Sequence, residues 1–435
     1  MAAQGTSPLP SDVPAMRAGW QGRVGLALRS MLATMVVVLP VFWTMGQLGR
    51  WWTPPLMAVV MAVMLGVSLP RVVDSIRRVR WAQACVALIV CVLVAGMAGV
   101  GSVAGGWWRV LGGGIFALLA AWATWVRRWG AAWRSVGLVA SVAVISVLVS
   151  PMPSQASWTT IGWMALAGLV ACVWTVAVAF LSRSTDPSDP PPPALARGRR
   201  LLSSTRMAVQ LLIAVGAAFV AADLIDSAHL VWPVLTAVIV LTNNRGRGDV
   251  LWKGAQRLVG ALIGTVAATL LVGAWPAGDS RSVVAIFVVI AVAAAVRVFG
   301  YVYWAACVTA GLAFLYGYMG QGGVHLLGHR VLGIVVGGVI AAVAAWFVLP
   351  VRTTDVVRSR MGAVRSAMGV VASERSTGVV SQQSLTALRE ARRQLAVMLP
   401  TVKAAKAVGI GSVRRLSVDV KKILSAADTV LDGSS

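Results

Sequence analysis

The chain has 435 residues, of which 58% are hydrophobic and only 12% charged, with a mean hydropathy of +0.81. A soluble domain carries about a quarter charged residues, so an ordinary soluble protein is excluded, and long continuous apolar runs exclude the short alternating segments of a β-barrel. The formal charge of +24 would suit nucleic acid, but the basic residues fall between apolar runs, as the loops of a membrane protein require; the expected partners are anionic membrane lipids and no nucleic acid.

Residues 1–23 are polar, with Pro and Ser, and lack a cleavable-signal pattern; the expectation is a disordered cytoplasmic N-terminus. Apolar runs then recur at 26–48, 54–69, 81–100, 107–126, 135–151, 158–182, 207–225, 230–243, 258–275, 282–299, 303–319 and 327–350. Most approach the bilayer-spanning length of about 20 residues. The predicted fold class is an all-α polytopic membrane protein, with about twelve transmembrane helices as two six-helix halves (24–182 and 206–350) and a C-terminal cytoplasmic helical region (351–435). Between the halves, residues 183–205 form a Pro-rich basic cytoplasmic linker, whose polyproline run acts as a spacer.

Arginines at 71, 77, 78 and 80, at 127, 128 and 134, at 197, 199 and 200, and at 245 and 247 with Lys253 occupy alternate loops. The excess of cations on one side predicts a multi-pass protein of the cell membrane with both termini cytoplasmic. The halves look related. Arg29 precedes Pro55 at nearly the distance by which Arg206 precedes Pro233, with Trp52 and Trp232 close to those prolines, and Arg80 and Arg257 open the third span of each half. The apolar segments at Pro54–Leu69 and Leu230–Leu241 are short in both, and short or Pro-interrupted segments at matching positions point to a transport site. Tilted hairpin helices with aromatic interface anchors are the other reading.

Two stretches repeat a pattern, Arg257-x-x-Gly260-x-x-x-Gly264 and Arg330-x-x-Gly333-x-x-x-Gly337. Glycines four apart let another helix approach closely, so Gly260, Gly264, Gly333 and Gly337 are candidate helix-packing residues. Arg257 is expected at the cytoplasmic end of its helix and Arg330 at the outer end, the mark of an inverted repeat. The first half is degenerate: its sixth span begins Trp158-Thr-Thr-Ile-Gly162, without the arginine.

Arginine is always charged and binds carboxylate bidentately, so Arg257, Arg330 and Arg297 are candidate substrate-binding residues for an anion, with Trp232 and Thr236 beside them. Arg206 and Arg29 come after these, and snorkelling to headgroups is the competing role. Trp232, Tyr301, Tyr303 and Trp304 are candidates to stack on an aromatic substrate, against the commoner role of aromatic belts. Asp223, Asp226, His229, His325 and His329 are candidate proton-relay residues, against a role as polar helix ends. The four cysteines, Cys85, Cys91, Cys172 and Cys307, all fall inside apolar runs, and their expected role is packing, not disulfide bonding or metal binding. No catalytic set, phosphate loop or zinc spacing stands out, so neither enzyme activity nor a cofactor or metal is expected.

Residues 352–435 carry many cations at helical spacing, with an apolar stripe of Leu388, Leu395, Met398 and Leu399. This predicts a cytoplasmic bundle that packs on itself, on a second copy as a homo-oligomer, or on the membrane surface.

The stretch from Arg206 to Leu271 resembles the fusaric acid resistance (FUSC) family, the aromatic acid exporters. The resemblance rests on Val231-Trp-Pro-Val-Leu-Thr-Ala-Val-Ile-Val240, a basic loop, and Arg257-Leu-Val-Gly-Ala-Leu-Ile-Gly264. Ala261 stands where that family has threonine, and Gly333 and Ile334 stand where it has an acidic residue and a threonine. The resemblance implies a secondary transporter exporting small organic anions, often aromatic carboxylates, possible proton coupling included. More distantly the chain resembles plant aluminium-activated malate channels, which implies a passive anion channel as an alternative. A non-transporting membrane scaffold for the cell envelope is the third reading, motivated by the degenerate first half and the long basic tail.

Overall fold

A continuous apolar run leaves the backbone no partner but itself, so helix is the expected response. The computed structural model describes residues 20–51, 55–73, 81–103, 106–129, 131–150, 158–181, 203–225, 231–242, 244, 246–272, 275–320, 324–350, 353–376, 380–407 and 413–432. Its helices are α1 (Trp20–Leu48), α2 (Leu56–Val73), α3 (Trp81–Val103), α4 (Gly106–Trp125), α5 (Ala131–Val149), α6 (Trp158–Leu181), α7 (Ser203–Ile225), α8 (Val231–Leu241), α9 (Arg247–Val272), α10 (Ser280–Val296), α11 (Tyr301–Tyr318) and α12 (Val324–Phe347). Four more follow: α13 (Thr353–Ser376), α14 (Gln382–Ala396), α15 (Leu399–Ala407) and α16 (Val413–Asp432). The described residues hold no strand, and the protein is an all-α membrane protein. Five helices, α1, α4, α6, α7 and α12, are long and apolar enough to cross a membrane, while α2, α3, α5, α8 and α10 are apolar over shorter lengths.

Burial is distributed as lipid solvent demands. Leu32, Val36, Trp43, Leu118, Val220, Leu224, Val266 and Val339 are exposed on the outer faces, whereas Met45, Met61, Leu65, Leu88, Met164, Leu211, Leu235 and Leu241 are fully buried. One apolar cluster runs from α1 through α12 and so joins the two sets of six helices.

The two sets pack with matching pairs. In each, the first helix lies on the second and the sixth, the second on the sixth, the third on the fifth and the sixth, and the fourth on the fifth. The sets meet reciprocally: α4 packs on α7, and α10 packs on α1. Arg109 of α4 and Asp223 of α7 form an ion pair across the first of these contacts.

Several expectations require correction. Cys85 and Cys172 are disulfide-bonded, with Cα atoms 6.2 Å apart, joining α3 to α6. These helices pack side by side, so residues 87 positions apart come within bonding reach, which spacing along the chain does not reveal. Cys91 and Cys307 are free thiols. Arg127 lies in the turn between α4 and α5, as expected, and there it donates from Nε to the Ala123 carbonyl at 3.0 Å and from Nη2 to the Gly137 carbonyl at 3.1 Å and to the Ser141 hydroxyl. It thereby clamps the turn between α4 and α5. Trp20–Arg23 belong to α1, and Ser203–Thr205 to α7, so both helices start before the boundaries set by hydropathy. Residues 1–19 and 182–202 lie outside the described residues.

The tail has a core of its own. Leu388, Leu395 and Met398 are buried with Val357, Val364 and Val420 between α13, α14 and α16, while Leu399 is half-buried against them. Helices α13 and α15 also pack on α9.

Candidate functional site

The two largest fully buried side chains in the described structure are Arg257 and Arg330, each 1% exposed. The local reason lies in the repeated pattern. Positions i, i+3 and i+7 share one helical face, so each arginine points where its two glycines point. On α9, a Cβ at Gly260 would come within 2.7 Å of the Ala305 Cβ and of the Val302 carbonyl oxygen, and one at Gly264 would fall on the Ala306 carbonyl. On α12, a Cβ at Gly333 would come within 2.6 Å of the Trp232 Cβ and 3.0 Å of Pro233 Cδ, and one at Gly337 would fall on the Pro233 carbonyl. The absent side chains let α9 close on α11 and α12 close on α8, and that approach seals the arginines in. Pro233 is tolerated because it sits in the first turn of α8, where its missing N–H would have no helical partner.

Arg257 is not at the end of its helix, as the sequence suggested. Helix α9 begins ten residues earlier at Arg247, about 15 Å along the axis. The extension is stabilised by Asp249 in the first turn, where a carboxylate complements the helix dipole, and by its ion pair with Lys253 at 2.9 Å.

Around Arg330, Nη1 donates to the Thr309 carbonyl of α11 at 3.2 Å. The guanidinium lies over the Trp232 ring at 4.3 Å and the Tyr316 ring at 5.7 Å, and those rings lie 5.8 Å apart. Its Nε and Nη2 are buried without a hydrogen-bond partner among the described residues. Arg257 interacts electrostatically with Tyr301 and with Arg330, and its Nε and Nη1 are likewise buried and unpartnered. Near it, the rings of Tyr301 and Trp304 lie 5.9 Å apart. The Tyr301 hydroxyl, the Trp304 indole N–H and the Thr236 hydroxyl are also buried and unpartnered.

The inventory is one-sided. Guanidinium and indole N–H groups only donate, and hydroxyls also can. Among the described residues the one buried acidic side chain is Asp249, already paired with Lys253. A buried unpaired cation costs several kcal/mol, by order of magnitude, unless a counter-charge arrives. The arrangement therefore suits an acceptor-rich anion, and the Trp232, Tyr316, Tyr301 and Trp304 rings suit one that carries an aromatic or apolar body.

Residues 216–344 match the family model described as fusaric acid resistance protein-like. The second half carries a fusaric acid resistance-like region. That region contains α8, α9, α10 and α11, most of α12 and the end of α7, and so both arginines and all four glycines. This family match supports a membrane transport or efflux role. No curated protein and no solved structure matches the chain.

The structure thus brings together Arg257, Arg330, Trp232, Tyr301 and Trp304, and it buries Thr236 on α8 at 1% exposure. Arg297 is half-buried at the end of α10, its backbone N–H donating to the Ala293 carbonyl at 3.2 Å. Tyr303 is exposed. Of the relay candidates, Asp223 is exposed and ion-paired with Arg109, and His329 is exposed although it adjoins buried Arg330. Asp226 and His229 lie outside the described residues, as does the His325 side chain. Thr309 and Tyr316 were missed. Their signal was available: Tyr301, Thr309 and Tyr316, eight and seven residues apart, mark one face of α11, with Tyr303 and Tyr318 off it.

Proposed function

We propose that the fusaric acid resistance-like half carries small organic anions, aromatic or amphipathic carboxylates foremost, across the cell membrane, and that Arg257 and Arg330 are two successive stations on the path. The single observation that supports it is the pair of fully buried guanidinium groups with unpartnered N–H donors. An anion replaces its hydration by those donors and moves from one arginine to the next, each station holding it loosely enough to release it. Arg330 already has a carbonyl and two ring faces as partners, so Arg257 is the tighter station.

The matching helix pairs in α1–α6 and α7–α12 support a twelve-span reading with two related halves, and the cation-rich alternate loops support cytoplasmic termini. Within the second half, α9 packing on α11 while α12 packs on α8 supports an inverted repeat of three helices plus three.

Export is tested by efflux of a panel of aromatic carboxylates from cells expressing the wild type, Arg257→Ala or Arg330→Ala at equal membrane levels, with and without a protonophore. Export lost in Arg257→Ala supports the reading, and export that persists undiminished in both variants overturns it. A second reading, passive conduction without proton coupling, is favoured by the ion pair that engages Asp223 with Arg109. Export that ignores the protonophore selects it.

A further inference from the structure

The first two turns of α9 are tied to three other parts of the molecule. Asp249 is 4% exposed and Thr401, on the tail helix α15, 2%. The Thr401 hydroxyl donates to Asp249 Oδ1 at 3.3 Å, while the other carboxylate oxygen takes Lys253 at 2.9 Å. Lys253 also donates to the Thr242 carbonyl at 3.4 Å, just past the end of α8. Arg247, in the same first turn, donates from Nη2 to the Trp346 carbonyl at 2.7 Å, with its guanidinium 5.5 Å from the Trp346 ring centre. Trp346 lies at the far end of α12, the helix of Arg330. The first two turns of α9 therefore contact the tail, the end of the short helix α8, and the end of the helix that carries the second station.

From this network we propose that Thr401 is a positioning residue for the anion site: through Asp249 it fixes where α9 sits, and so where Arg257 presents its free N–H groups. The inference rests on the anion-station reading above. Its physical ground is that Asp249 precedes Arg257 by eight residues, about 12 Å on one rigid helix, so a shift at the first turn is carried to the guanidinium without loss. The Thr401 hydroxyl is the tail's contribution to a buried carboxylate, a group that is costly to leave short of donors. Val402, beside it, is 1% exposed and belongs to the apolar core of the tail, so the packing of the tail holds Thr401 in place. The tail thereby acts on the transport path without touching the anion.

The test uses the full-length protein in detergent, with 2-naphthoate as probe and tryptophan quenching as readout, on wild type, Thr401→Val, Thr401→Ser, Asp249→Asn and Arg257→Ala. Thr401→Val keeps the shape and deletes the donor; it should weaken 2-naphthoate binding by about threefold or more, as expected for part of a charged hydrogen bond, and Thr401→Ser should restore it. Hydrogen exchange should quicken in residues 247–257 of Thr401→Val while α13, α14 and α16 keep their protection. Unchanged affinity in Thr401→Val, with binding abolished in Arg257→Ala, overturns the positioning role and leaves the anion site standing. Unchanged affinity in Arg257→Ala removes the site reading itself. Loss of protection throughout the tail in Thr401→Val, with Thr401→Ser failing to rescue binding, identifies Thr401 as a folding residue only and also overturns the proposal.

Discussion

The guanidinium carbon of Arg330 lies 4.3 Å from the centre of the Trp232 ring, which joins the arginine of α12 to the first turn of α8. Replacing Trp232 by Leu removes the ring face and leaves the charge. The expected outcome is a loss of about 0.5–2 kcal/mol in stability, read as a lower melting temperature in detergent, together with slower export. Trp232→Phe should retain part of both.

Arg257 offers a sharper contrast. A buried guanidinium without a counter-charge is a cost to the empty protein, and an apolar replacement of similar length is expected to be neutral or stabilising by about 1–4 kcal/mol. Arg257→Met should therefore melt at or above the wild-type temperature while anion export falls to background. Arg257→Lys keeps the charge and loses the forked geometry, so export should fall about tenfold, a cost of about one good hydrogen bond to a charged group. A protein that melts lower and still exports in the Met variant would contradict the site.

The glycines predict a graded series. Gly264→Ala and Gly337→Ala place a methyl group on backbone carbonyls, which cannot swing away, and should cost about 1–3 kcal/mol or more. Gly338, one residue on, has open space around its Cβ direction, so Gly338→Ala should stay within about 0.5 kcal/mol of wild type. Thermal melts of the three variants check this.

The cysteines predict a labelling pattern. In denatured, unreduced protein a maleimide should modify Cys91 and Cys307, and reduction should add Cys85 and Cys172. Peptide mapping by mass spectrometry reads the outcome directly.

In the tail, Glu374 accepts hydrogen bonds from the Ser384 hydroxyl at 2.6 Å and from the Ser381 backbone N–H at 2.8 Å. These donors hold its carboxyl below the ordinary value, the Ser384 hydroxyl most of all. A depressed value means that its contribution is complete above the ordinary carboxylate range and is lost as the pH falls through the folded value. Hydrogen exchange in residues 381–396 should therefore quicken in acid below that range in the wild type. Glu374→Gln should show quicker exchange already at neutral pH and a flatter response to acid.

Much of this architecture was legible because lipid imposes a simple rule. Apolar runs became helices within a few residues of their hydropathy limits, and the Arg-x-x-Gly-x-x-x-Gly spacing fixed which face of α9 and α12 would be sealed. The extension of α9 back to Arg247 was hidden because Arg247, Asp249, Lys253 and Gln256 interrupt the apolar pattern of its ten added residues, and hydropathy reports solvent, not helix. The Cys85–Cys172 bond and the Arg109–Asp223 pair were hidden for another reason. Each depends on which helices become neighbours, and an apolar helix gives little sign of the partner it will choose. Tyr316 lay on a readable face of α11, but its role needed Arg330 opposite to define it.

Helix α8 has 11 residues and so rises about 16 Å, against about 30 Å of hydrocarbon in a bilayer. Such a helix cannot insulate the full thickness by itself, and water entering above and below it would confine the membrane voltage to a thin septum. An anion that steps between the arginines beside this septum would then cross most of the electric field in one move. With about 2.3 kcal/mol available per charge for each 100 mV, an interior-negative cell would supply an outward push from its resting potential alone, and the rate of export would follow voltage as steeply as it follows concentration.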